Sequence, residues 1–223
     1  MGEPELVIFD LAGTTVKDRG EVADSFTGAL AEHGIGVTAE QLRGVRGASK
    51  RQAVWHFVPE GPGRERSAGL IYESFRARLA RRYAGGGVEP VEGAREVFRW
   101  LKGRGVGVAL NTGFDRDITE LLLSALGWRE GVFDAVVCGD DVRQGRPAPY
   151  LIFRAMEAAG AAAVGHVANV GDTALDLRAG HNAGVGWNVG VLSGAHERRL
   201  LEQSPHTHLL ESVADLPSIW PAV

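Results

Sequence analysis

Short apolar runs rich in β-branched residues recur along this chain, and helical patterns separate most of them. The runs occupy residues 6–11 ("LVIFDL"), 105–112 ("GVGVALNT"), 135–140 ("AVVCGD"), 165–172 ("GHVANVGD") and 184–191 ("GVGWNVGV"). The intervening stretches repeat their apolar residues at helical spacing. "AREVFRWLKGRG" stops at glycine, and "DRDITELLLSALG" offers Asp115 or Asp117 as an N-cap and closes at Gly127. "PYLIFRAMEAAG" follows Pro149, which a first helical turn tolerates, and "ALDLRAGHNAG" follows the fourth run. Strand, helix, strand, helix predicts an α/β protein: a parallel sheet with helices on both faces.

One segment interrupts the alternation. Residues 18–87 show helical patterns and no strand: "EVADSFTGALAEHG", "TAEQLRGVRG", "SKRQAVWHFV", then "RSAGLIYESFRARLARRYAGGG", a long helix ending in three glycines. This predicts a core of residues 1–17 and 88–223 with a small helical domain inserted after the first strand. A chain of 223 residues with 44% hydrophobic residues has room for both. The net charge of −4 gives no basic footprint for nucleic acid or an anionic membrane, and no apolar run reaches membrane-spanning length. The single cysteine, Cys138, excludes an internal disulfide. With no leader-like pattern at the start, this suggests a cytoplasmic protein. The stripe on "EVADSFTGALAEHG" would serve either a homodimer contact or packing within the insert.

In open α/β sheets, ligands bind outside the carboxyl ends of the strands. Here those ends carry chemistry. The first run ends in Asp10 followed by Ala12 and "GTT"; the second in Thr112 and Gly113. "QGRPAP" after the third brings Arg146, and the fourth ends in Asp172, with Asp176 one helical turn on. Each also suits a structural role: a turn aspartate, a capping threonine, a surface arginine, an N-cap. Together, in this order, they describe a phosphoryl-transfer site. A carboxylate can attack phosphorus. A hydroxyl and glycine amides can hold phosphoryl oxygens, and a guanidinium can neutralise charge. Paired carboxylates can bind Mg²⁺, a hard ion that takes oxygen ligands.

On these residues the chain resembles the haloacid dehalogenase superfamily of aspartate-nucleophile hydrolases over nearly its whole length. The resemblance implies a Rossmann-like core with a helical cap over the site. It implies Asp10 as nucleophile, Thr112 with Gly113 and Arg146 on the phosphoryl group, and Asp176 in support. Mg²⁺ would lie between Asp10, the Ala12 carbonyl and Asp172.

Ala12 is the departure. Side chains two apart on a strand face the same way, and most phosphatases of this superfamily resemble one another in placing a proton-shuttling Asp there. "DLAGTT" with "GRP" instead resembles the phosphonatase family, which has Ala at that place. There a cap lysine forms an imine with an aldehyde substrate, and the electron-withdrawing imine makes an acid beside the nucleophile unnecessary. Of the three lysines, Lys17, Lys50 and Lys102, the match falls on Lys50, with Gly47 three residues before it. Two positions depart: Arg46 stands where the family has Met, and Ala53 where it has His. The expected partner is therefore a small-molecule phosphonate with a carbonyl group, with Lys50 either forming an imine or only binding substrate. A phosphate ester, hydrolysed as by phosphoglycolate phosphatases, is the alternative, and a catalytically silent binding protein is a third reading.

Overall fold

A computed structural model describes residues 2–85, 87–128 and 131–220. Strand β1 (Leu6–Phe9) leads into four helices: α1 (Glu21–Glu32), α2 (Ala39–Val45), α3 (Lys50–Phe57) and α4 (Arg64–Ala84). Alternation then sets in with α5 (Ala94–Gly103), β2 (Gly107–Asn111), α6 (Arg116–Ala125), β3 (Ala135–Val137), α7 (Tyr150–Ala159) and β4 (Val167–Gly171). The order finishes with α8 (Ala174–Ala183), β5 (Trp187–Val191), α9 (Arg198–Glu202) and β6 (His208–Leu210). The sheet has six strands in the order β3-β2-β1-β4-β5-β6, every neighbouring pair parallel.

The β1 sequence explains its central place. Leu6, Val7, Ile8 and Phe9 are all buried, as a strand covered on both faces requires. Leu6 and Ile8 pack toward α7 and α8 with Leu151, Ile152 and Ala179. Val7 and Phe9 point the other way, into a core shared with α5 and α6 that runs on into the four-helix segment. On that face Phe98 stands edge-on to three rings, Phe9 at 5.2 Å, Trp128 at 5.3 Å and Phe133 at 5.1 Å between centroids.

The four-helix segment leaves and rejoins the core through two adjacent stretches. Lys17 N–H donates to Glu89 O and Val91 N–H to Thr15 O, both at 2.9 Å. Within the segment α1 packs along α4, with Phe26 edge-on to Phe75 at 5.9 Å. Arg51 of α3 binds Asp115, the residue before α6, at 3.0 Å, and its guanidinium lies 4.3 Å from the Tyr72 ring centroid.

Several boundaries differ from the sequence reading. The third strand stops at Val137 rather than running to residue 140, because Cys138 N–H turns to the Asp141 carboxylate at 2.7 Å. Asp115 occupies the N-cap of α6, but its carboxylate serves Arg51 instead of the helix amides. Pro149 sits one residue before the first turn of α7. β6 was not anticipated: "HLL" has no alternation, and its pairing to β5 alone makes it a strand. Of the three glycines expected after α4, Gly86 lies outside the described residues, as do Met1 and residues 221–223 of the expected core. Among the described residues no helix is long and apolar enough to cross a membrane.

Phe98→Ala should cost about 3–5 kcal/mol of stability, the range for truncating a buried aromatic. Urea unfolding followed by circular dichroism checks it; a loss below about 1 kcal/mol would mean that this ring cluster does not hold α5 to the sheet.

Candidate active site

β1 lies between β2 and β4, so the chain leaves it at the point where the strand order reverses. Asp10 follows immediately, its N–H extending the ladder to Val170 O at 2.9 Å. The turn that follows is held from inside. Thr15 Oγ1 donates to Asp10 O at 2.9 Å, and Thr14 Oγ1 donates to Asp172 Oδ1 at 3.1 Å. Gly13 has φ +92°, and a Cβ there would come within 2.4 Å of Asp172 Oδ2, so both conformation and space require glycine.

The other strand ends converge on Asp10. Thr112 follows β2, and its Oγ1 accepts from Phe114 N–H at 3.2 Å, which leaves the hydroxyl proton available to a ligand. Asp172 follows β4. It is not the N-cap of α8: Thr173 is, in a capping box with Asp176. Asp176 Oδ2 thereby accepts from Thr173 N–H at 3.0 Å, while Oδ1 meets Arg146 Nη1 at 2.7 Å. Arg146, from the loop before α7, places the same nitrogen 2.8 Å from Asp10 Oδ1. Its Nη2 donates to Asn111 O at 3.1 Å and also to the Asn111 side-chain oxygen. Asp10, Arg146, Asp172 and Asp176 are 6%, 4%, 1% and 1% exposed, so this charge cluster has almost no water to screen it.

A cavity opens over the cluster, lined by Asp10, Ala12, Gly47, Lys50, Thr112, Gly113, Arg146 and Asp172. Every expected site residue except Asp176 lines it, and Asp176 stands behind Arg146. The far wall comes from the helical segment and is mainly apolar, with Val22, Phe26, Leu42, Val45 and Ala53. Gly47 and Gly113 are where the two parts approach most closely: a Cβ on Gly47 would lie 2.3 Å from Thr173 Oγ1, and one on Gly113 2.7 Å from Ala48 O. Of the three lysines only Lys50 faces the cavity. Lys17 pairs with Glu89 at 2.9 Å and Lys102 with Asp134 at 3.0 Å, both at the surface. Lys50 Nζ donates to Ala48 O at 3.2 Å and lies 5.7 Å from the Phe114 ring centroid.

Three carboxylates share one guanidinium, and the proton affinities reflect it. Burial raises Asp10 to about 6 despite the opposing Arg146 charge. Burial, then repulsion from Asp10 and Asp176, raises Asp172 well above the usual range, although the Ala195 amide and Thr14 hydroxyl work the other way. Burial opposes charge on Arg146, but Asp176 and Asp10 outweigh it and raise its pKa. Lys50 retains some solvent contact, yet the desolvation of its ammonium lowers its pKa, with Asp10 pulling in the opposite sense. A divalent cation suits this imbalance. Asp10, Asp172 and Asp176 each offer an oxygen within 4.8 Å of the others. The Ala12 carbonyl beside them accepts no hydrogen bond among the described residues. An unpaired carbonyl next to under-compensated carboxylates fits a hard oxygen-liganded ion.

A model of the haloacid dehalogenase-like hydrolase family matches residues 4–184. The chain is a haloacid dehalogenase-like hydrolase. Within that family it falls in the phosphonatase-like group. Over 216 residues it is 32% identical to the phosphonoacetaldehyde hydrolase of Bacillus thuringiensis (strain Al Hakam), covering 89% of this chain and 80% of that protein. Two solved structures share the fold. A hydrolase from Pseudomonas syringae superposes with a TM-score of 0.85 at 22% identity, covering 96% of each chain. A phosphonoacetaldehyde hydrolase like protein from Oleispira antarctica gives 0.83 at 24% identity, covering 98% of this chain and 91% of that one.

Sequence reasoning missed parts of the hydrolase's site. Asn111, Thr14 and the loop over residues 193–195 all position charged residues. Ser193 Oγ donates to Gly13 O at 2.9 Å, and Ala195 N–H donates to Asp172 Oδ2 at 2.6 Å. Asn111 and Thr14 stood inside the motifs already noticed, and their polarity next to apolar runs was a usable signal. The loop holds Asp172 through the Ala195 backbone amide, which leaves no mark on the residue type.

The Asp10 shift carries a stability signature. Between its unfolded value of 3.8 and about 6, the folded metal-free protein keeps a proton that the unfolded chain has released. Stability therefore falls as pH rises through that window. Asp10→Asn, neutral throughout, should weaken the fall in melting temperature of metal-free protein between pH 4 and 7. The same pH dependence in wild type and variant would contradict the raised pKa.

Proposed function

We propose that the hydrolase cleaves the carbon–phosphorus bond of a small phosphonate bearing an aldehyde, of the phosphonoacetaldehyde kind, in a Mg²⁺-dependent reaction. One observation carries the reading: the Ala12 methyl and the Lys50 ammonium line the same cavity as Asp10. The second carboxylate of an ester hydrolase is missing where it would be needed, and an amine lines the same cavity. The name borne by the Bacillus relative supports the same substrate class.

Residues 18–87 act as the cap in this reading. Lys50, its proton affinity lowered by burial, condenses with the aldehyde, releasing water and forming a protonated imine. Asp10 attacks phosphorus, held in place by Arg146. As the C–P bond breaks, its electron pair moves into the imine and the fragment leaves as an enamine, so no acid is needed at Ala12. Protonation at carbon and hydrolysis of the imine release the aldehyde, and water cleaves the aspartyl phosphate to inorganic phosphate. Thr112 and Gly113 contact the phosphoryl oxygens, and Asp176 keeps Arg146 aimed at them. Asp10, the Ala12 carbonyl and Asp172 would hold Mg²⁺, which supplies charge neutralisation for the phosphoryl group. The apolar cap wall keeps water from the imine.

Ala53, small and cavity-lining, favours one competing reading: room for a bulkier phosphate ester, with Lys50 as a binding cation.

Asp10→Asn should abolish turnover with the fold intact by circular dichroism. Borohydride reduction in the presence of phosphonoacetaldehyde should attach a two-carbon adduct to Lys50, located by peptide mass. Lys50→Arg keeps the charge but forms no imine, and should lower kcat by at least about 100-fold. Phosphate release without an adduct, together with near wild-type activity of Lys50→Arg, would move the assignment to the phosphate-ester reading.

A further inference from the structure

The turn at Arg46–Gly47 meets the core at one strand end, the one that carries Asp172. Arg46 Nη1 donates to Ala195 O at 2.9 Å. Ala195 in turn gives its N–H to Asp172 Oδ2 at 2.6 Å. The loop is tightly wedged there: a Cβ on Gly194 would fall 2.1 Å from the same Asp172 oxygen. Gly47 has φ +84° and presses on Thr173, the residue after Asp172. Among the described residues Arg46 has no carboxylate within ion-pair distance, so its place is set by that one carbonyl and by the cavity it lines. A long cationic side chain of the cap is thus one residue removed from a carboxylate of the charge cluster.

We infer that Arg46 is a positioning residue: by holding Ala195 it ties cap closure to the orientation of Asp172, so that phosphoryl binding and Mg²⁺ binding strengthen each other. The inference rests on the reading of the cavity as a phosphoryl and Mg²⁺ site, and not on imine chemistry or any particular substrate. With the cap away, Ala195 O loses its donor, the 193–195 loop is freer, and Asp172 is held by Thr14 and a looser amide. With the cap down, the loop is clamped from both sides and the carboxylate is preorganised. Linkage makes the effect reciprocal: whatever phosphate does for Mg²⁺ affinity, Mg²⁺ does for phosphate affinity.

The test is isothermal titration of Mg²⁺ into the intact protein, with and without saturating inorganic phosphate. Phosphate should tighten Mg²⁺ binding by about fivefold or more in the wild type, the lower end of ordinary coupling. Arg46→Met, similar in length and without a donor, should cut that enhancement to below about twofold. Arg46→Lys, which keeps a donor, should recover part of it and carries the test if Arg46→Met does not fold. Arg51→Met, which breaks the cap–core pair with Asp115 far from the loop, should keep most of the enhancement. Equal enhancement in wild type and Arg46→Met would overturn the inference. So would an equal loss in Arg51→Met, which would show that general cap closure is responsible, or a wild type that binds no Mg²⁺. No substrate is turned over in these titrations. A protein that shows the coupling but leaves phosphonoacetaldehyde intact therefore rejects the substrate reading and keeps this inference.

Discussion

Arg146 is the hub of the molecule. One buried guanidinium nitrogen reaches Asp10 and Asp176, and the other reaches Asn111, so the ends of β1 and β2 and the start of α8 are joined by a single side chain. Such a cluster contributes little net stability, because desolvation consumes most of the Coulomb gain; removing one partner, however, typically costs about 3–5 kcal/mol through the charge left behind. Its role is geometric. It sets Asp10, Asn111 and Asp176 at fixed separations on a rigid sheet.

The cluster is also unbalanced, since Asp172 has no cation of its own. Backbone and hydroxyl donors, Ala195 N–H and Thr14 Oγ1, are all that answers it. Burial then raises the carboxylates' proton affinity, and the free protein stores a preference for positive charge at this spot. Such an under-compensated carboxylate cluster is one that a hard cation would stabilise.

Above the charges, residues 18–87 supply an apolar wall together with three charged side chains, Asp18, Arg46 and Lys50. The apolar wall and the buried carboxylate cluster therefore belong to different parts of the fold. They meet through close backbone approaches at Gly47 and Gly113 and through the Arg51–Asp115 and Arg46–Ala195 contacts. Lys50 stands at that junction, and burial there lowers its pKa while Asp10 pulls in the opposite sense.

Much of this was legible in the residues. The four apolar residues of β1 announced a strand covered on both faces, and the polar residues closing four of the runs marked the strand ends. Asp10, Thr112 and Asp172 were visible because a charged or hydroxyl side chain abutting an apolar run is costly unless it is used, and Arg146 was visible in "QGRPAP" beyond the third run. Ala12 was informative for the opposite reason, a small apolar residue where a carboxylate was expected. What stayed hidden depended on distance in space. "HLL" becomes β6 only because β5 offers it an edge, and the Asp115 side chain caps no helix amide but turns one oxygen, Oδ2, to Arg51, far away in sequence. The amides of the 193–195 loop carry no side-chain signature, so their grip on Asp172 had no sequence trace. The sequence by itself determined which chemical groups stand at the strand ends, since burial and periodicity are local properties of the chain. Only the tertiary structure decided which groups meet, which of three lysines lines the cavity with Asp10, and how the charges are shared, because those depend on contacts between segments that the chain order leaves far apart.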